Sequence, residues 1–250
     1  MAAARTPAAV AAVAGDALPR LGPVTERLPL FPLGTVLFPG LMLPLHVFEP
    51  RYRHLVDDLL ALPEGAARRF GVVALREGRE VGSDGARALH AVGCVAQVRQ
   101  VSRHEDGRFD LVTVGSTRFT LDVLHRPAAT DTGAYLQADV TLLAESPGPA
   151  AAEGAVLAAQ LFARYQAALV SVRGEPVVSG ELPTDPLLLS YLIAAAVVVP
   201  FGERQRFLEA PTAAARLRLG AAVIRRELTA IAVVPSLPAT DISPDGWSAN

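Results

Sequence analysis

Residues 28–48, LPLFPLGTVLFPGLMLPLHVF, run for twenty-one positions without an Asp, Glu, Lys or Arg. A stretch of that length is enough to cross a bilayer. Pro29, Pro32, Pro39 and Pro44, with Gly34 and Gly40, interrupt it every few residues. Each proline removes a backbone donor that lipid has no water to replace, so a spanning helix is excluded in favour of short strands joined by tight turns. The pieces rich in Leu, Val and Phe, Thr35 to Phe38 and Leu43 to Phe48, are the predicted strands.

The period then changes. In EPRYRHLVDDLLAL, Leu55, Val56, Leu59, Leu60 and Leu62 recur at helical spacing, with Pro50 suited to the first turn and Pro63 closing the helix. RRFGVVAL resumes as a buried strand, followed by a loop carrying Gly78, Gly82 and Gly85. Strand-like sequence from His90 to Val101 leads to Asp106-Gly107, a hairpin turn, after which Phe109, Leu111 and Thr113 alternate with Asp110 and Val112. Phe119 and Leu121 extend the Phe109 face, and a further strand spans Ala134 to Leu143. These short strands suit a small barrel or a strongly bent sheet.

SPGPAAAEG, residues 146–154, is a joint, and beyond it the pattern is helical to Val233. The predicted helices run from Ala151 to Val172, from Asp185-Pro186 to a stop at Pro200, and from Thr212 to Ile231. The middle one, PLLLSYLIAAAVVV, is apolar on all sides, which fits burial in a bundle or a dimer contact through 186–199. The fold class is thus α+β, with a leader over 1–27, a β domain over 28–145, a helical domain over 150–233 and a tail over 234–250. The leader lacks the strong apolar centre of a signal peptide, which makes the cytoplasm the expected location.

Composition removes several functions. The net charge of −2 offers no basic field for phosphates, so no nucleic-acid partner is expected. All 23 basic residues are Arg. Without Lys there is no Schiff base, no Ser–Lys dyad and no P-loop. The single Cys94 reads as a small buried hydrophobe, and the five histidines show no metal-binding spacing, so no metal or cofactor is expected. His46 and His54 straddle the start of the first helix without enough ligands for an ion, and adjacent Asp57 and Asp58 point about 100° apart. No G-x-S-x-G turn is present.

The remaining chemistry is in FEPRYRHLV, where Glu49, Arg51 and Arg53 surround a helix start. LPLFPLGTVLFPGLMLPLHVFEPRYRHLV, followed in order by FGVVAL, EVG, HAVGCVAQV and GSTRFTL, resembles the amino-terminal substrate-binding domain of the Lon protease family. The helical half, with DPLLLSYLIAAAVV and RQRFLEAPTAAARLRLGAAVIRRE, is similar to the helical portion that follows it. The resemblance implies a PUA-like bent pseudo-barrel followed by a helical bundle, and a role in holding polypeptides. The family's ATPase and Ser–Lys proteolytic modules have no counterpart here, so the reading is a stand-alone, non-catalytic module, monomeric or homodimeric, whose partners are polypeptide segments or a protein.

Expected contact residues are Phe38, Met42 and Phe48, with Arg51 and Tyr52, on an exposed sheet edge or groove. The alternative is a small-molecule-binding or hydrolytic enzyme with a pocket between the β domain and the helices, lined by Arg51, Tyr52 and Arg118.

Overall fold

The computed structural model describes residues 25–76, 89–128, 133–173 and 177–233. Contacts divide the chain after Glu145 into two units. The first contains β1 (Thr25–Leu33), β2 (Met42–Val47), α1 (Pro50–Ala61), β3 (Arg69–Ala74), β4 (Val92–Arg103), β5 (Phe109–His125) and β6 (Gln137–Leu142). The second contains α2 (Ala151–Arg173), α3 (Pro186–Ala196), α4 (Phe201–Glu209) and α5 (Ala213–Val233).

The strands form one sheet in the order β2-β5-β4-β3-β1-β6, and β5 also pairs with β6. That last pairing closes a ring of five strands, with β2 left outside as an appendage on β5. The ring encloses Leu28, Leu30, Val73, Val95, Phe119, Ala138 and Val140. The 17-residue β5 makes closure possible: Phe109 to Val114 pairs with β2, and Phe119 to His125 with β6. α1 covers part of the sheet through Tyr52, Leu55, Val56 and Leu59, and the Tyr52 ring stacks on Phe31 at 4.0 Å.

Several sequence expectations need correction. β1 starts at Thr25, inside the predicted leader, and passes through Pro29 and Pro32. The Leu30 N–H donates to Leu136 O on the β6 side, so strand alternation turns odd-numbered nitrogens towards β3 and even-numbered ones towards β6. Pairing with β3 begins only at Leu30, and pairing with β6 ends at Pro29. Each proline nitrogen therefore faces a side without a ladder, and its missing donor costs nothing. Thr35–Phe38 is a loop rather than a strand, although Val36, Leu37 and Phe38 are buried. The Asp106-Gly107 turn is as expected: Gly107 has φ +78°, and its N–H donates to His104 O.

In the helical unit, Asp185 caps α3 by accepting from the N–H groups of Leu187 and Leu188 at 2.7 and 3.0 Å. The helix stops at Ala196 rather than running to Pro200, and Val197 is already extended, consistent with a β-branched run leading into a proline. The separate α4 that follows has no counterpart in the sequence reading. α3 packs on α2, α4 and α5 and buries Leu189 to Ala194 and Ala196 within its own unit. The apolar surface that pointed to dimerisation is thus already covered. Arg216, fully buried, lies over the Tyr191 ring at 3.8 Å and donates to Phe207 O, Ala210 O and Ser190 Oγ. No helix among the described residues is long and apolar enough to cross a membrane.

Candidate functional site

The expected contact residues do not form one surface. Phe38 and Tyr52 are 2% and 4% exposed and belong to the core, whereas Met42 is 43% exposed and Phe48 and Arg51 are half-buried. Arg51 is held locally, 2.7 Å from Glu49 and over the Tyr52 ring at 4.7 Å.

Of the accessible members, Met42 lies in β2, Phe48 follows it directly and Arg51 is in α1, and the register of β2 shows why Met42 is exposed. Gly115 N–H donates to Leu41 O. Carried along the antiparallel pairing, this phase turns the N–H groups of Leu43, Leu45 and Val47 towards β5 and those of positions 42, 44 and 46 towards the free side. Pro44 occupies the middle outward position, so the free edge lacks a donor where an added strand would need one. An exposed edge was one expectation from sequence, and Pro44 makes it a poor template for strand addition.

The outer face differs. Met42, Pro44 and His46 lie opposite Val114, Val112 and Asp110 of β5, and those pair with Gln97, Gln100 and Ser102 of β4. Leu45 and Val47 point inward and are buried. Side-chain alternation thus leaves a strip of Met42, Pro44, Val112 and Val114 on the solvent side, bordered by the two glutamines and by Phe48, whose ring centroid is 6.2 Å from that of His46. This is an accessible apolar surface on a hydrogen-bonded ribbon of three strands.

At the hairpin end of the ribbon, His46 Nδ1 and His104 Nε2 approach Asp110 Oδ1 and Oδ2 at 2.7 and 2.8 Å. These two hydrogen bonds hold the Asp110 carboxyl below its usual range. His46 and His54 do not meet: His54 Nδ1 lies 2.8 Å from Gly133 O.

His54 instead lines an open groove of about 360 Å³ with Asp58, Gly133, Ala134, Tyr135 and Gln137. Tyr135 donates to Asp58 at 2.6 Å, and burial together with that carboxylate pushes the phenol up to about 12. Arg51, Tyr52 and Arg118 are not among its lining residues. Arg118 is 2% exposed and forks onto Glu145, 6% exposed, with Nε to Oε1 at 2.7 Å and Nη2 to Oε2 at 3.3 Å. Cys94 is fully buried, and burial pushes its thiol up, which removes thiolate character.

The ATP-dependent protease La (LON) substrate-binding domain model matches residues 27–226. Lon protease 2 of Myxococcus xanthus is 29% identical over 208 residues, covering 82% of this chain and 24% of that protein. Lon protease 2 of Sorangium cellulosum (strain So ce56) is 31% identical over 219 residues, covering 84% and 26%. The chain thus spans about a quarter of the length of these relatives. Among solved structures, the Lon N-terminal domain protein from Xanthomonas campestris aligns with a TM-score of 0.55 at 23% identity, over 77% of this chain and 95% of that one. The N-terminal domain of the Mycobacterium avium complex Lon protease aligns with a TM-score of 0.55 at 18% identity, over 80% and 98%. At these identities the structural likeness concerns the fold.

Proposed function

Because this chain belongs to the LON substrate-binding domain family, we propose that it is a non-catalytic module that holds polypeptide segments on the outer face of the β2–β5–β4 ribbon. The observation that carries the reading is the strip around Met42, 43% exposed, on a strand whose alternate residues are locked into the core. An unbranched thioether beside valines and a phenylalanine adapts to different apolar side chains. Gln97 and Gln100 at the border supply hydrogen bonds to a bound backbone. The hydrolytic alternative draws less support, because Arg118 is fully engaged in the interior and Arg51 is held by Glu49 and Tyr52.

The test is fluorescence anisotropy of a labelled, permanently unfolded polypeptide titrated with the full chain. Met42→Ser combined with Phe48→Ser is expected to weaken binding about tenfold, equivalent to ~1.4 kcal/mol. Circular dichroism of the variant should match the unaltered chain. Unchanged affinity in a folded variant, or cleavage of the polypeptide, rejects the proposal.

A further inference from the structure

We propose that His46, His104 and Asp110 form a binding site for a divalent transition-metal ion, Zn²⁺ in the first instance, at the hairpin end of the β2–β5 ribbon. The three side chains come from three places in the chain: β2, the turn after β4, and the second residue of β5. Their ligand atoms all lie within 4.8 Å of one another. Two imidazoles and one carboxylate are the borderline donor set that suits zinc, with a further position left for water.

The scaffold fixes the donors before any ion arrives. His46 and Asp110 are cross-strand partners, and His104 is held by its N–H to Arg108 O at 2.8 Å and by accepting from Gly107 N–H at 3.0 Å. Without metal, the two imidazole nitrogens share the Asp110 carboxylate. Ligands about 2 Å from a tetrahedral ion lie roughly 3.3 Å apart, so the contacts of 2.7 and 2.8 Å, which His46 and His104 make to the two different oxygens of Asp110, must give way by about 0.5 Å or more. Side-chain rotation supplies this, since the three groups are 38%, 41% and 52% exposed.

The charged neighbours make the idea sharper. Arg108 Nη1 is 3.4 Å from His46 Nε2, and Arg108 Nε pairs with Asp106 at 2.6 Å. Coordination through Nδ1 puts the remaining imidazole proton on Nε2, facing the guanidinium, so Arg108 opposes the ion both by charge and by tautomer.

The experiment is competition of the tag-free full chain against a chromogenic zinc chelator. One equivalent of Zn²⁺ is expected to bind. His46→Ala, His104→Ala and Asp110→Asn should each weaken it at least tenfold, His54→Ala and His125→Ala should leave it unchanged, and Arg108→Ala should tighten it. Hydrogen exchange provides a second readout, with Zn²⁺ slowing amides of 103–110 in the unaltered chain only. The proposal is overturned if the His46→Ala/His104→Ala double variant retains the affinity, if His54→Ala abolishes it, or if no Zn²⁺ binds.

Discussion

Replacing Gly115 with alanine tests the logic of the site at its base. Gly115 lies where β5 leaves β2 and turns to β6, and the Phe38 carbonyl sits against its α-carbon. An added Cβ would overlap Phe38 O and lie 2.9 Å from Phe38 C, where ordinary contact begins near 3.5 Å. Backbone, not a flexible side-chain tip, has to retreat, by more than the roughly 0.6 Å that the Phe38 C contact alone requires. Overpacking of this kind costs about 1–3 kcal/mol. The same shift strains the bonds from Gly40 N–H to Gly115 O at 2.8 Å and from Gly115 N–H to Leu41 O at 2.9 Å, each contributing about 0.5–1.5 kcal/mol net. The sum is about 2–6 kcal/mol, and 3 kcal/mol at a urea slope of ~2 kcal/mol/M moves the midpoint by roughly 1.5 M. Gly34→Ala is the internal control, since nothing lies within 4 Å of its added methyl and its φ is not positive. Urea titration by circular dichroism gives the midpoint, and hydrogen exchange over 36–47 locates the loss in β2. A Gly115→Ala variant with the original midpoint and unchanged protection of 42–47 refutes the argument.

Other expectations follow from the interior and from the closure of the ring. Glu145→Gln or Arg118→Met leaves one member of a buried pair without its counter-charge and should cost about 3–5 kcal/mol, while Arg118→Met with Glu145→Leu should cost clearly less. Hydrogen exchange of β5 and β6 reads both, and additive single costs in the double variant would contradict the pairing. Asp139 on β6 accepts from Arg27 of β1 and from His125 of β5, and these hydrogen bonds hold its carboxyl down at about 2. A folded value below the unfolded one stabilises the chain at all pH above about 4, and the gain disappears as pH falls towards 2. Asp139→Asn should therefore be less stable than the original at pH 7 and equal to it near pH 2, as measured by urea midpoints across that range.

Legibility from sequence tracked the distance over which each feature is decided. The Asp106-Gly107 hairpin and the Asp185 cap depend on neighbours two or three positions away, and both were readable. Pro29 and Pro32 look like breaks in the sequence because a proline's cost in a strand depends on which flank its nitrogen faces, and that is fixed by β3 and β6, distant in sequence. The early end of α3 had a local signal in Val197 to Val199 before Pro200, overshadowed by uniform hydrophobicity. Phe38 and Tyr52 look like contact residues in a string, but the loop carrying Phe38 tucks under β5 and Tyr52 stacks on Phe31. The His46–Asp110 pair required the β2–β5 register. Only the bracketing of the hairpin turn by His104 and Asp110 was visible locally.

The placement of Pro44 bears on the kind of recognition this ribbon can offer. A sheet edge with a full set of outward donors captures a strand through main-chain bonds and barely distinguishes a substrate from another copy of itself. With Pro44 at the central outward position, that mode is blunted, and binding must come from side chains on the face. In the proposed mode, contacts through Met42, Val112 and Val114 would be apolar, small in area and tolerant of sequence, so a captured segment would be held weakly and exchange readily. The proposed polypeptide-holding role would be served by that combination: an apolar face for exposed hydrophobic residues, on a scaffold whose edge is a poor template for strand addition.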